Sequence, residues 1–112
     1  MVSKETEQNV QQLQMIEHTL HNLLQQRQQF QTQLIEIDSA LEALQSTEKA
    51  YQIMGNVMVA ADPKTLTNDL NQKKEMLAVR IKSVEKREES LKSKVKDLQD
   101  NVMKELGENP DK

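Results

Sequence analysis

The sequence predicts a mainly α fold, a long antiparallel two-helix coiled coil with one β-hairpin at the bend. Two observations carry that prediction. The first is a pair of heptad repeats. Steps of three and four from Leu13 give Leu13, Ile16, Leu20, Leu23, Arg27, Phe30, Leu34, Ile37, Leu41 and Leu44, with only Arg27 not apolar. From Leu70 the same steps give Leu70, Lys74, Leu77, Ile81, Val84, Glu88, Leu91, Val95, Leu98 and Val102, with only Lys74 and Glu88 not apolar. A 3.5-residue repeat held for about five heptads belongs to a coiled-coil helix rather than a globular one. The second observation is the run Tyr51-Gln-Ile-Met-Gly-Asn-Val-Met-Val-Ala60 between the repeats, which cannot continue either helix. The chain therefore folds back on itself there.

The first helix is expected over about 4–46. Its start falls near Ser3 to Thr6 and its end between Leu44 and Thr47. Its outer face is mainly Gln, including Gln25, Gln26, Gln28 and Gln29, an uncharged surface built from a good helix former. The second helix is expected over about 63–106. Asp62 supplies an N-cap, and Pro63 sits at the first helical position, where its missing N–H costs nothing. Gly107 ends this helix and Pro110 prevents its resumption, leaving a flexible tail over 107–112. At about 1.5 Å per residue the second helix is roughly 65 Å long.

The hairpin is expected over about 50–61. Gly55-Asn56 between short runs of Val, Ile and Met is a two-residue turn signal, with Gly55 supplying the positive φ of a type II′ turn. Such a turn pairs Met54 with Val57, Ile53 with Met58, Gln52 with Val59 and Tyr51 with Ala60. Both faces are then apolar apart from Gln52 and the Tyr51 hydroxyl. An isolated hairpin is marginal in water, and this one has two open edges and two faces needing cover. Folding back onto its own coiled coil would cover one face and leave the other exposed. Pairing with hairpins of other subunits, most completely in a closed intersubunit β-barrel, covers everything. The oligomerisation residues are therefore Tyr51, Ile53, Met54, Gly55, Asn56, Val57, Met58 and Val59.

Composition narrows the function classes. At 112 residues there is room for one domain, 1–112, and Tyr51 and Phe30 are the only aromatics, too few for a thick core. Without cysteine there is no disulfide framework and no thiol nucleophile or ligand, as suits a reducing cytosol. No apolar run approaches the roughly 18 residues of a membrane span. The basic excess over 73–105 is interleaved with acids, as in Glu85-Lys86-Arg87-Glu88-Glu89, the pattern of a solvated helix face more than of a phosphate-binding stripe. His18 and His21 fall on the outer surface of the first helix without a third ligand, so no metal is expected. No Gly-rich phosphate loop and no nucleophile–base pair is present, so no cofactor and no enzymatic activity are expected.

Two further readings come from the repeats. Arg27 and Glu88 are the charged heptad residues in the middle of their helices, and an antiparallel pairing puts them within one layer. Either they meet and fix the helix register, or each snorkels to solvent. At the end of the coiled coil farthest from the hairpin, Val10, Leu13, Met15, Ile16, Val102, Met103 and Leu106 come together. Met15 and Met103 lie beside the seam positions and add apolar, adaptable surface that a two-helix seam need not bury. Seam packing with frayed ends is the plainer reading for Leu13, Ile16 and Val102.

The chain resembles the prefoldin β subunit family over nearly its whole length. A Gln-rich heptad helix leads into Ala50-Tyr51-Gln-Ile-Met-Gly55-Asn56-Val-Met-Val59 and then into a helix rich in Leu, Lys and Glu. The core Tyr51-x-x-x-Gly55-Asn56-x-x-Val59 carries most of the specificity, and Leu77-Ala-Val-Arg80-Ile-Lys-Ser-Val-Glu85-Lys-Arg-Glu88-Glu89 is also similar. One hairpin fits the β type, since the α type carries two. The short link from Leu44 to Tyr51 looks like that of archaeal members. The resemblance implies a heterohexamer of two α-type and four β-type subunits, with six coiled-coil arms hanging from a platform of two β-barrels. It implies a cytoplasmic, ATP-independent holdase whose arm tips bind unfolded proteins and deliver them to a group II chaperonin. On this chain the tip residues would be Met15, Ile16, Val102, Met103 and Leu106. The competing functions are a structural or adaptor coiled coil and a nucleic-acid-associated coiled coil using the lysines of the second helix.

Overall fold

The structure is a computed structural model describing residues 3–107. Its elements run in the order α1 (Lys4–Leu44), β1 (Ala50–Met54), β2 (Val57–Ala61) and α2 (Pro63–Gly107). Helix α1 stops two residues short of 46, because the Gln45 and Ser46 amides bond the carbonyls of Glu42 and Ala43, three residues back. Tightening the last turn in this way satisfies carbonyls that the helix would otherwise leave open. Gly107 is the last residue of α2, and the rest of the expected flexible tail lies outside the described residues.

Two compact units divide the chain, one formed by 1–27 with 83–112 and the other by 28–82. In the first unit the heptad positions decide what is buried. Leu13, Ile16, Leu20 and Leu23 of α1 and Val84, Leu91, Val95, Leu98 and Val102 of α2 are all buried or half-buried. A fully buried Leu, Ile or Val contributes roughly 1.5–3 kcal/mol, so this seam is the main source of cohesion. The repeat also runs past its apolar part. Stepping back from Leu13 reaches Asn9 and Thr6, and stepping on from Val102 reaches Glu105, and all three are buried or half-buried as well.

In the second unit Phe30, Leu34, Ile37, Leu41 and Leu44 line the seam with Leu70, Leu77 and Ile81. Lys74 occupies a seam position but turns outward, where its Nζ lies 2.7 Å from Asp38 Oδ1 with both side chains about half exposed. An ion pair so exposed adds at most about 1 kcal/mol. This unit also carries apolar surface outside its seam. Ile35, Met76 and Val79 are exposed there, at positions that face away from the partner helix.

Candidate functional site

The link from α1 to the hairpin is fixed by a hydroxyl. Thr47 Oγ1 donates to the Lys49 carbonyl at 2.8 Å and accepts from the Lys49 amide at 3.2 Å. On the far side, the Asp62 carbonyl accepts from the Leu66 amide at 3.0 Å, and its carboxylate accepts from the Thr65 hydroxyl at 3.1 Å. Asp62 and Pro63 thus start α2 immediately after β2, and the hairpin is held at both feet by short polar contacts.

Strands β1 and β2 pair antiparallel in the expected register, Tyr51 with Ala60, Gln52 with Val59, Ile53 with Met58 and Met54 with Val57, and Ala50 with Ala61 adds a fifth pair. Gly55 has φ +61° and Asn56 has no positive φ, which fits a type II′ turn rather than type I′. Adding a side chain at Gly55 would meet no neighbour, so what requires glycine there is the backbone conformation. Every residue from Tyr51 to Ala60 is exposed, and Tyr51, Ile53, Met54, Val57, Met58 and Val59 each expose 43–70% of their surface. The chain's own helices cover neither face. The sheet has only these two strands, so one edge of each is open.

In the first unit the end of the helix pair is organised by Ser3. Its Oγ accepts from the Thr6 amide at 3.0 Å and its carbonyl accepts from the Glu7 amide at 3.1 Å, the pattern of an N-cap. Ser3 Oγ also donates to Thr6 Oγ1 at 3.1 Å. Thr6 is only 2% exposed, the most buried side chain described. The Ser3 and Thr6 hydroxyls lie beside the Glu105 carboxyl and hold it below the ordinary carboxylate value of 4.5. Hydrogen bonds to the charged form stabilise it.

Of the residues expected to contact clients, Met15, Met103 and Leu106 are exposed, Val102 is half-buried and Ile16 is packed in the seam. Ile16 therefore supports the surface without being part of it. The sequence reading missed Thr6, Asn9 and Glu105, although continuing the heptad steps would have found them.

Arg27 and Glu88 meet within the first unit. Arg27 Nε donates to Glu88 Oε1 at 2.7 Å and Nη2 donates to Oε2 at 3.3 Å, with side-chain exposures of 25% and 7%. The two-pronged contact satisfies both carboxylate oxygens of a nearly buried acid, and no buried side-chain polar atom among the described residues lacks a partner. His18 and His21 are exposed, and among the described residues no group of three or more His, Cys, Asp or Glu is placed to hold a metal. No described helix is long and apolar enough to cross a membrane.

Residues 7–109 match the family described as Prefoldin subunit. The chain is 31% identical over 93 residues to the prefoldin subunit beta of Archaeoglobus fulgidus, covering 80% of each sequence. It is 32% identical over 89 residues to that of Saccharolobus islandicus, covering 77% of this chain and 71% of the relative. Its fold superposes on the crystal structure of the prefoldin beta subunit from a Thermococcus strain with a TM-score of 0.85 and 25% identity, over 93% of this chain and 94% of the other. With the paired heptad helices and the Gly55 hairpin on the page, these likenesses agree, and the chain belongs to the prefoldin family of chaperone subunits, in its β class.

Proposed function

We propose that this chain is a β-type subunit of a hexamer of two α-type and four β-type prefoldin subunits, and that the hexamer holds unfolded proteins without ATP. The hairpin carries this reading. Ten consecutive exposed residues, apolar on both faces and open at both edges, are a surface that requires other strands. Closure with hairpins of neighbouring subunits into β-barrels removes the edges and buries Tyr51, Ile53, Met54, Val57, Met58 and Val59 together. Gly55 and Asn56 make the turn that presents them.

Unfolded clients are then held at the Ser3 end of the helix pair, where exposed Met15, Met103 and Leu106 sit above the seam residues Ile16 and Val102. Several weak apolar contacts from separate subunits give avidity without a fixed pocket. Held clients pass to a group II chaperonin, and the setting is the cytoplasm. Membership in a family of chaperone subunits supports a role without catalysis.

The test is aggregation of a chemically denatured protein diluted into buffer without nucleotide. The chain mixed with an α-type prefoldin subunit is expected to give one species with the mass of a hexamer and to suppress light scattering. A hexamer that leaves scattering unchanged would identify a structural or adaptor coiled coil instead.

A further inference from the structure

The second unit carries two exposed rows of side chains that complement each other. Residues three and four apart on a helix are surface neighbours. On α1, Ile35, Asp38 and Glu42 follow one another at that spacing, an apolar side chain 67% exposed beside two exposed acids. On α2, Lys73, Met76 and Arg80 follow at the same spacing, with Val79 three residues beyond Met76. Met76 is 55% and Val79 68% exposed, and the two bases around them are exposed as well. Among the described residues, Glu42, Lys73 and Arg80 take part in no ion pair.

The contact between Lys74 and Asp38 places the two rows. It sets Lys74 of α2 level with Asp38 of α1, and the two helices run in opposite directions. Ile35 is therefore level with Met76, and Asp38 with Lys73, to within about one residue or ~1.5 Å. Ile35 lies three residues from Asp38 and shares its side of α1. Met76 is two residues past Lys74, about 200° around α2, and so lies on the other flank of the helix pair. One flank thus presents an acidic and apolar row and the other a basic and apolar row, at equal distance from the hairpin.

We infer that the α1 row of one copy of this chain packs against the α2 row of a second copy beside it, Ile35 against Met76 and Val79, and Asp38 against Lys73. The inference rests on the reading that hairpins gather several copies. Copies held by their hairpins and pointing the same way bring rows at equal distance from the hairpin level with one another. Charge decides which rows meet. Two α2 rows would crowd bases together and two α1 rows would crowd acids, so the contact is head-to-tail. Glu42 comes level with Asp69, and Lys73 one turn away offsets that repulsion. A stable pairwise interface takes roughly 800 Å² from each partner, far more than these few side chains offer, so the rows do not hold copies together unaided. Tethering by the hairpins supplies the effective concentration that their area lacks. Their role is to set which flank of one helix pair faces the next.

The chain has no cysteine, so introduced thiols report on this contact. Copies carrying Ile35→Cys and copies carrying Met76→Cys are assembled with an α-type subunit, each alone and as an equal mixture. After mild oxidation, disulfide-linked dimers of this chain are followed on a denaturing gel, and native mass spectrometry reports the assembly. The mixture is expected to cross-link at least about tenfold faster than either variant alone. Adding Lys73→Glu to the Met76→Cys copy is expected to slow the reaction at least about threefold, and adding Asp38→Lys to the Ile35→Cys copy to restore most of the rate. A hexamer whose mixture cross-links no faster than the single variants overturns the contact and leaves the hairpin reading standing. Failure of the unaltered chain to assemble at all overturns the hairpin reading, and the contact with it.

Discussion

The hairpin of the second unit and the Ser3 end of the first unit are both places where the helix pair stops, and they stop in opposite ways. At the hairpin the chain turns through Gly55 and leaves apolar faces and open strand edges to solvent. At the Ser3 end, Ser3 caps α1 and bonds the Thr6 hydroxyl, and the Glu105 carboxyl lies beside those two hydroxyls. The first stop is incomplete without other chains. The second is capped by residues of its own chain and leaves Met15, Met103 and Leu106 exposed beside it. Unsatisfied surface marks where a permanent partner belongs, and a self-satisfied end with modest apolar cover suits partners that come and go.

The largest effect should come from spoiling the incomplete end. Ile53→Lys with Val57→Asp places a charge on each face of the hairpin. Sedimentation is expected to show a monomer, while circular dichroism still reports a helical chain. A hexamer surviving that double change would break the contrast between the two ends at its strongest point.

A smaller effect is expected between the ends, at Arg27 and Glu88. Replacing either residue alone with Leu leaves a partly buried charge without its partner, whereas replacing both restores an apolar layer. A double-mutant cycle on thermal unfolding should therefore give a coupling of about 1–2 kcal/mol, below the range for fully buried pairs because Arg27 keeps a quarter of its side chain in solvent. Coupling indistinguishable from zero would mean that the contact does not help fix the register.

The smallest effect sharpens the closed end. Because the folded pKa of Glu105 lies below 4.5, its contribution is fully present above 4.5 and is lost as pH falls through the lower folded value. Hydrogen exchange at the Thr6 and Glu7 amides is expected to accelerate over that acidic window, relative to amides in the middle of α1. Ser3→Ala should return the Glu105 titration toward its ordinary value and cost about 1 kcal/mol through loss of the cap. Glu105 titrating at 4.5 in the unaltered chain would show that the Ser3 and Thr6 hydroxyls do not hold its carboxylate.

Much of this was legible in the residues. The hairpin register followed from Gly55-Asn56 because a two-residue turn leaves only one pairing, and heptads allow few alignments, so the closeness of Arg27 and Glu88 followed too, while pairing and separate snorkelling both stayed open. The polar end of the seam was passed over because Thr6, Asn9 and Glu105 do not look like seam residues. Hydropathy marks a coiled coil by its apolar positions and is silent where the same positions turn polar. The outward side chains of Ile35, Met76 and Val79 were hidden for the converse reason, since apolar residues close to a repeat read as part of it.

The Arg27–Glu88 contact joins residues 61 positions apart in the chain. The strand pairs at Gly55 join residues no more than eleven apart. The entropy of closing a loop rises with its length, so each layer farther from the turn is cheaper to form once the nearer ones are in place. The hairpin pairs are thus the cheapest contacts to close, and the Arg27–Glu88 contact, far from them in sequence, checks the alignment of the first unit. A chain that paired one heptad out of step would meet Arg27 and Glu88 apart, each facing an apolar side chain, before most of the first unit had closed. The error would be exposed while it was still cheap to undo.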